Sequence, residues 1–230
     1  MDSQTFAFDV YGTLVNPLEM SQHLQMMVGE KAGLLSQLWR EKQVEYAFRR
    51  GLMGRYEPFN VCTQQALDYA LKATDLVLTA EQQAFLMAQY QQLEAYADVI
   101  PGIQSLRAQG HCCVAFSNGP AEKVKALLQN AGVLELLDDV ISVDEIQRYK
   151  PDPAVYLHLL KRSGSRSGST WLISSNAWDV IGAKHAGLNA AWVQRSPAAV
   201  FDFWDIHPDK TVESLQYLAE EFSINSDIKR

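Results

Sequence analysis

Five short apolar runs, each followed by polar residues and then by helical spacing, constrain the fold of this chain more than any other feature. They are TFAFDV (5–10), CCVAF (112–116), DVISV (139–143), TWLIS (170–174) and AAWV (190–193). Runs apolar throughout, without alternation, are the mark of strands covered on both faces, as in parallel sheets. The later runs are separated by helix-like stretches over 121–131, closed by Gly132, over 153–162, and over 177–186, ended by Gly187. A final helix is expected over about 211–222, with fraying from Ser223. Strands alternating with helices predict an α/β fold with a parallel sheet between helical layers.

The interval between the first two runs breaks this rhythm. From Pro17 to Asp98 apolar residues recur at helical spacing over 33–50, 63–73 and 79–96, with few strand signals. Gly51–Pro58 interrupts the stretch, and Pro101-Gly102 opens the next helix. The pattern predicts a helical insertion: a core of residues 1–15 and 99–230, and a cap of residues 16–98. A chain of 230 residues is long enough for both. Ser163–Ser169 (SGSRSGS) reads as a flexible connector.

Composition narrows the function classes. A net charge of -7 suggests no nucleic acid partner, and no apolar run approaches the roughly 18 residues of a membrane span. The opening MDSQTFAFDV has no basic segment before its apolar run, so no secretory signal is expected and the location is expected to be cytoplasmic. Cys62, Cys112 and Cys113 form no CxxC pair and read as free, packing thiols. The five histidines lack metal-ligand spacing.

Ligands of open α/β sheets bind beyond the carboxyl ends of the strands. Asp9 ends the first run, Ser117-Asn118 the second, and Ser174-Ser175-Asn176 the fourth, with Asp179 just after; Lys150 follows the third run by a short loop. Singly, each has a plain structural reading. Asp9 suits a turn before Gly12-Thr13, Ser117 and Ser174 suit helix caps, Lys150 a solvated loop, and Asp179 the first turn of a helix. Together, at the ends of four strands of one sheet, they predict a catalytic rim.

Four motifs lie on that rim: FDVYGTL (8–14), FSNG (116–119), YKPDPAVY (149–156) and SSNAWD (174–179). With the cap segments LWREKQVEY (38–46) and GRYEPF (54–59), the chain resembles the haloacid dehalogenase superfamily, and more closely the L-2-haloacid dehalogenases. The resemblance implies a Rossmann-like core carrying an inserted helical cap. Most of the superfamily are phosphatases, which carry a second aspartate two residues after the nucleophile and a GDxxxD fourth motif. Here those positions hold Tyr11 and Ser175, so parts that phosphoryl transfer needs are missing. Displacement of halide needs neither, because halide leaves as a stable anion without a proton.

The resemblance implies hydrolysis of short (S)-2-haloalkanoic acids to (R)-2-hydroxyalkanoic acids through an ester on Asp9, with no metal or cofactor. Lys150 would keep Asp9 ionised, and Asp179 would activate the hydrolytic water. Thr13, Ser174 and Asn176 would position Asp9 or the water. Arg40 would meet the halide or the substrate carboxylate. Ser117 would hold that carboxylate, and Asn118 resembles a halide contact. Tyr11, Val44, Phe59 and Trp178 would shape the apolar pocket, with Tyr156 supporting the network. A homodimer is also implied. Two departures bear on substrate range. Glu41 stands where the family has a neutral glutamine and, if turned inward, would partly neutralise the anion site. Val44 is smaller than the expected leucine. The competing readings are a magnesium-dependent phosphatase or phosphonatase of the same superfamily, and a non-catalytic binding protein that keeps the fold.

Overall fold

The computed structural model describes residues 3–202 and 204–227. Six strands form one sheet: β1 (Thr5–Phe8), β2 (Cys112–Ser117), β3 (Asp139–Ser142), β4 (Thr170–Ser174), β5 (Asn189–Val193) and β6 (Lys210–Val212). Every pairing is parallel, in the order β3-β2-β1-β4-β5-β6. β1 is buried along its whole length, as its unbroken apolar run TFAF requires. The chain steps outward from β1 through β2 to β3, then crosses to the other side of β1 and steps outward from β4 to β6. The strand order therefore reverses at β1, and the crevice of such a sheet opens at that switch point.

Helices α1 (Met20–Val28), α2 (Ala32–Leu52), α3 (Phe59–Ala73) and α4 (Ala80–Gln89) lie between β1 and β2 and form the helical cap. α5 (Val99–Ala108) leads into β2, and α6 (Ala121–Asn130), α7 (Pro153–Ser163) and α8 (Ala177–His185) make the successive crossovers. α9 (Leu215–Asp227) follows β6. The fold is α/β, a Rossmann-like parallel sheet with an inserted helical cap.

The structure departs from the sequence expectation in a few places. The helix expected over 79–96 ends at Gln89, because the backbone of 94–96 is drawn back to the core: Tyr96 N–H donates to Leu14 O (3.1 Å) and Asn16 N–H to Glu94 O (3.2 Å). Helix α2 runs through Gly51 to Leu52, so the break begins two residues later than expected. Residues 210–212 form the edge strand β6 rather than the start of a helix, and α9 begins at Leu215 and extends past residue 222. Three residues on a half-exposed edge leave no periodic signal. The Ser163–Ser169 connector is tied by hydroxyls: Thr170 Oγ1 donates to Ser165 Oγ (2.7 Å) and to Arg166 O (2.8 Å). No helix among the described residues is long and apolar enough to cross a membrane. All three cysteines are free.

Candidate active site

Asp9 follows the last residue of β1 and is buried. Its backbone N–H donates to Ile173 O (2.9 Å), so the strand pairing with β4 continues one residue past β1 and fixes the direction of the carboxylate. Gly12, at φ +91°, lets the loop turn back on itself. That turn brings Thr13 Oγ1 to Asp9 Oδ2 (2.9 Å). From the end of β4, Asn176 Nδ2 donates to the same oxygen (2.8 Å), with Ser174 Oγ at 3.4 Å.

The other carboxylate oxygen, Oδ1, accepts from Lys150 Nζ (3.2 Å). Lys150 is wholly buried, and its ammonium also donates to Phe116 O (2.8 Å) and Asp179 Oδ2 (2.8 Å). Burial by itself would lower the lysine pKa, but the charges of Asp179 and Asp9 outweigh it and hold the pKa above the usual 10.5. Asp179 is also fully buried. Burial, reinforced by the charge of Asp9, raises its pKa above the usual 3.8, and the attraction of Lys150 only partly offsets this. Tyr156 OH donates to Asp179 Oδ1 (2.7 Å), and burial pushes that phenol far up. The result is a buried chain Asp9–Lys150–Asp179–Tyr156.

Above Asp9 is a cavity of about 10 Å³, lined by Asp9, Tyr11, Arg40, Val44, Phe59, Asn118, Asn176 and Trp178. That is room for about one water. Arg40, from α2 of the cap, reaches Tyr11 O with Nη2 (3.3 Å) and Asn176 Oδ1 (3.5 Å). Trp178 packs edge-on against Phe48 of the cap at 5.1 Å. Asn118 lines the cavity, and its Oδ1 accepts from the backbone N–H of Lys150 (3.0 Å). A fixed carboxylate, a guanidinium lining the same cavity and apolar walls make a site suited to in-line displacement on a small anionic molecule.

Six of the residues singled out in the sequence do not line the cavity: Thr13, Lys150, Ser174 and Asp179 stand around Asp9, and Ser117 and Tyr156 lie further back. Ser117 is fully buried and its Oγ accepts from Gly119 N–H (3.1 Å). Tyr156, expected to support the network, lies behind Asp179. Glu41 is exposed and accepts from Gln37 (2.8 Å), so it does not turn into the anion site. Among the described residues no group of three His, Cys, Asp or Glu side chains is placed to hold a metal ion. The gap between the two carboxylates is bridged by the Lys150 ammonium.

Sequence reasoning missed the support behind Arg40. Gln43 Oε1 accepts from Arg40 Nη1 (2.7 Å) and from Tyr90 OH (3.2 Å), while its Nε2 donates to Thr63 Oγ1 (2.6 Å). Gln43 is buried, and its place three residues after Arg40 was the available signal. Ser175 was noted only for the carboxylate it lacks. Its N–H donates to Thr13 Oγ1 (2.9 Å) and its Oγ to Gly12 O (2.7 Å), so it pins the loop that carries Thr13.

A family model of haloacid dehalogenase-like hydrolases matches residues 4–187. The chain is 39% identical to "(S)-2-haloacid dehalogenase 1" of Pseudomonas sp. (strain CBS-3), over 82% of this chain and 83% of that one. To the (S)-2-haloacid dehalogenase of Pseudomonas sp. (strain YL) it is 33% identical, over 94% and 93%. Among solved structures it is similar to L-2-haloacid dehalogenase from Xanthobacter autotrophicus with chloropropionic acid covalently bound, with a TM-score of 0.89 at 28% identity over 96% and 98% of the two chains. With its motifs, sheet order, cap and relatives in agreement, the chain belongs to the haloacid dehalogenase-like hydrolases, alongside the (S)-2-haloacid dehalogenases.

Proposed function

We propose that this protein hydrolyses short (S)-2-haloalkanoic acids to (R)-2-hydroxyalkanoic acids. The observation that carries this reading is Asp9, paired with Lys150 (3.2 Å) and aligned by Thr13 and Asn176 beneath a small cavity walled by Tyr11, Val44, Phe59 and Trp178. The Asp9 carboxylate attacks the α-carbon opposite the halogen. A carbon–oxygen bond forms, the carbon–halogen bond breaks, and halide departs with both bonding electrons. Arg40 meets the departing halide or the substrate carboxylate, and Asn118 lies on the same wall. Backbone N–H groups beside Ser117 hold the carboxylate, and the Ser117 hydroxyl fixes their turn by accepting from Gly119 N–H. Water then adds to the ester carbonyl of Asp9. Asp179, beside Lys150 and oriented by Tyr156, takes the water's proton. The adduct collapses, and the bond between Asp9 Cγ and the substrate oxygen breaks. The leaving alkoxide takes that proton from Asp179 as the product hydroxyl, and Asp9 returns to its carboxylate by losing the remaining proton to solvent. Ser174 and Asn176 place the ester and the water. One displacement at the chiral carbon inverts its configuration.

The reading includes a core of residues 1–15 and 99–230 and a cap of residues 16–98. The antiparallel bridge between Val15 and Ala95, where the chain leaves and rejoins the sheet, supports that division. It also includes a cytoplasmic homodimer that works without a metal ion.

The test is one turnover of (S)-2-chloropropionate by excess enzyme in heavy-oxygen water. Label is expected in the Asp9 side chain and not in the first hydroxyacid formed. Asp9→Asn should release no halide, and chelator should leave the wild-type rate unchanged. Label appearing directly in the product, or turnover lost on chelation, overturns the reading.

A further inference from the structure

A second cavity adjoins the site. It also measures about 10 Å³ and shares Tyr11 and Phe59 with the first as walls. These rings lie 5.8 Å apart. Its rim comes from both sides of the seam: Asn60, Met87 and Gln91 from the cap, Pro120 and Lys123 from the core. Thr63, Tyr90 and Gly119 form its buried floor, whereas Lys123, in the first turn of α6, is exposed and the other four rim residues are half-buried, so the cavity opens toward the surface of the seam along its Lys123 edge. Among the described residues Lys123 makes no ion pair. The nearby Glu122 is engaged by Lys125 (3.1 Å).

Each cavity holds about one water, too little for any haloacid, so the substrate must enter by a route along which both widen. Two sides of the site cavity are candidates. On one, Val44 and Trp178 face it, with Phe48 closing on the indole. The polar groups on that side, Arg40 and Asn176, are already engaged with Gln43, Tyr11 O and Asp9, so they replace little of a carboxylate's lost hydration. The other leads past Tyr11 and Phe59 to Asn60, Gln91 and Lys123, which can replace lost hydration. On a protein of net charge -7, a local cation is also where an anion is drawn in.

We infer that the second cavity is the entrance subsite for the 2-haloalkanoate anion, with Lys123 the first charge it meets and the Tyr11–Phe59 pair the partition it passes. This rests on the dehalogenase reading. It adds a residue and a route that the reaction itself does not require.

Lys123→Cys, tagged with methanethiosulfonate reagents of increasing size, tests it. The readout is the apparent second-order rate constant for ester formation in single turnovers at limiting substrate, by rapid quench. A benzyl tag should slow that step at least tenfold, more for (S)-2-chlorobutanoate than for chloroacetate, and reductant should restore it. A sulfonatoethyl tag should slow it more than an aminoethyl tag of similar size, and the gap should shrink as salt is added. Wild-type enzyme taken through the same labelling measures any contribution from Cys62, Cys112 and Cys113. If the benzyl tag leaves the rate within twofold, or slows both acids equally whatever the tag, the entrance lies elsewhere. Untagged wild-type enzyme that releases no halide would instead overturn the dehalogenase reading on which this proposal rests.

Discussion

A lysine with no exposed surface is unusual, and Lys150 is tolerated because each proton of its ammonium has an acceptor: Asp9, Asp179 and Phe116 O. Removing the cation would leave two carboxylates buried side by side. Lys150→Met is therefore expected to cost on the order of 3–5 kcal/mol in urea unfolding at neutral pH, besides abolishing halide release. A loss under about 1 kcal/mol would mean that the carboxylates relax to water. The raised pKa of Asp179 has a sign that can be checked. A base whose pKa is raised takes up its proton at higher pH than an exposed aspartate, so falling pH silences it sooner. The acid limb of kcat should lie above the usual aspartate range, about 3.9, in single-turnover measurements of ester hydrolysis. An acid limb at or below the usual value would remove Asp179 as the base. Lys150, its pKa raised, should keep its stabilising charge past the ordinary lysine pKa of 10.5 and lose it only as pH climbs through the raised value.

At the scale of elements, the site depends on close packing between α7 and α8. A Cβ added at Gly182 would lie 2.6 Å from Pro151 Cβ and run into the Tyr156 hydroxyl. Both neighbours belong to the segment that carries Lys150. Gly182→Ala should therefore cost about 1–3 kcal/mol. It should also lower kcat by displacing Tyr156 from Asp179, with KM little changed. A variant with normal kcat would show that Tyr156 can shift without disturbing the base. The turn between α2 and α3 makes a second connection of this kind. Tyr56 OH donates to Asp144 Oδ1 (2.6 Å), Tyr149 OH donates to Glu57 O, and the two rings lie 4.9 Å apart. Tyr149 directly precedes Lys150, so the cap is fastened to the loop that charges the site.

Over the whole molecule, the working parts are divided between two bodies. The sheet side supplies Asp9, Lys150 and Asp179, whereas the cap supplies Arg40, Val44 and Phe59. Tyr56→Phe removes one polar tie between the two while keeping the ring. It should cost roughly 1 kcal/mol of stability. If that tie also helps the cap close over the substrate, KM for chloroacetate should rise more than kcat falls. Unchanged KM would limit the Tyr56–Asp144 contact to stability alone.

Much of this was legible in the chain itself. An unbroken apolar run can only be a strand covered on both faces, so TFAF and its successors fixed a parallel sheet, and the polar residue after each run fixed what stands at the rim. Asp9, Lys150 and Asp179 are legible for that reason. Edge strand β6 was not, because three half-exposed residues carry no period, nor was the end of α4, which is set by hydrogen bonds to residues 14–16, some eighty positions away. The pairing of Gln43 with Arg40, Tyr90 and Thr63, the outward turn of Glu41, and the second cavity at the cap–core seam were decided by tertiary structure alone. Local sequence sets the periodicity of an element. Which polar groups meet, and where space remains between two packed bodies, depends on distances that only the folded chain defines.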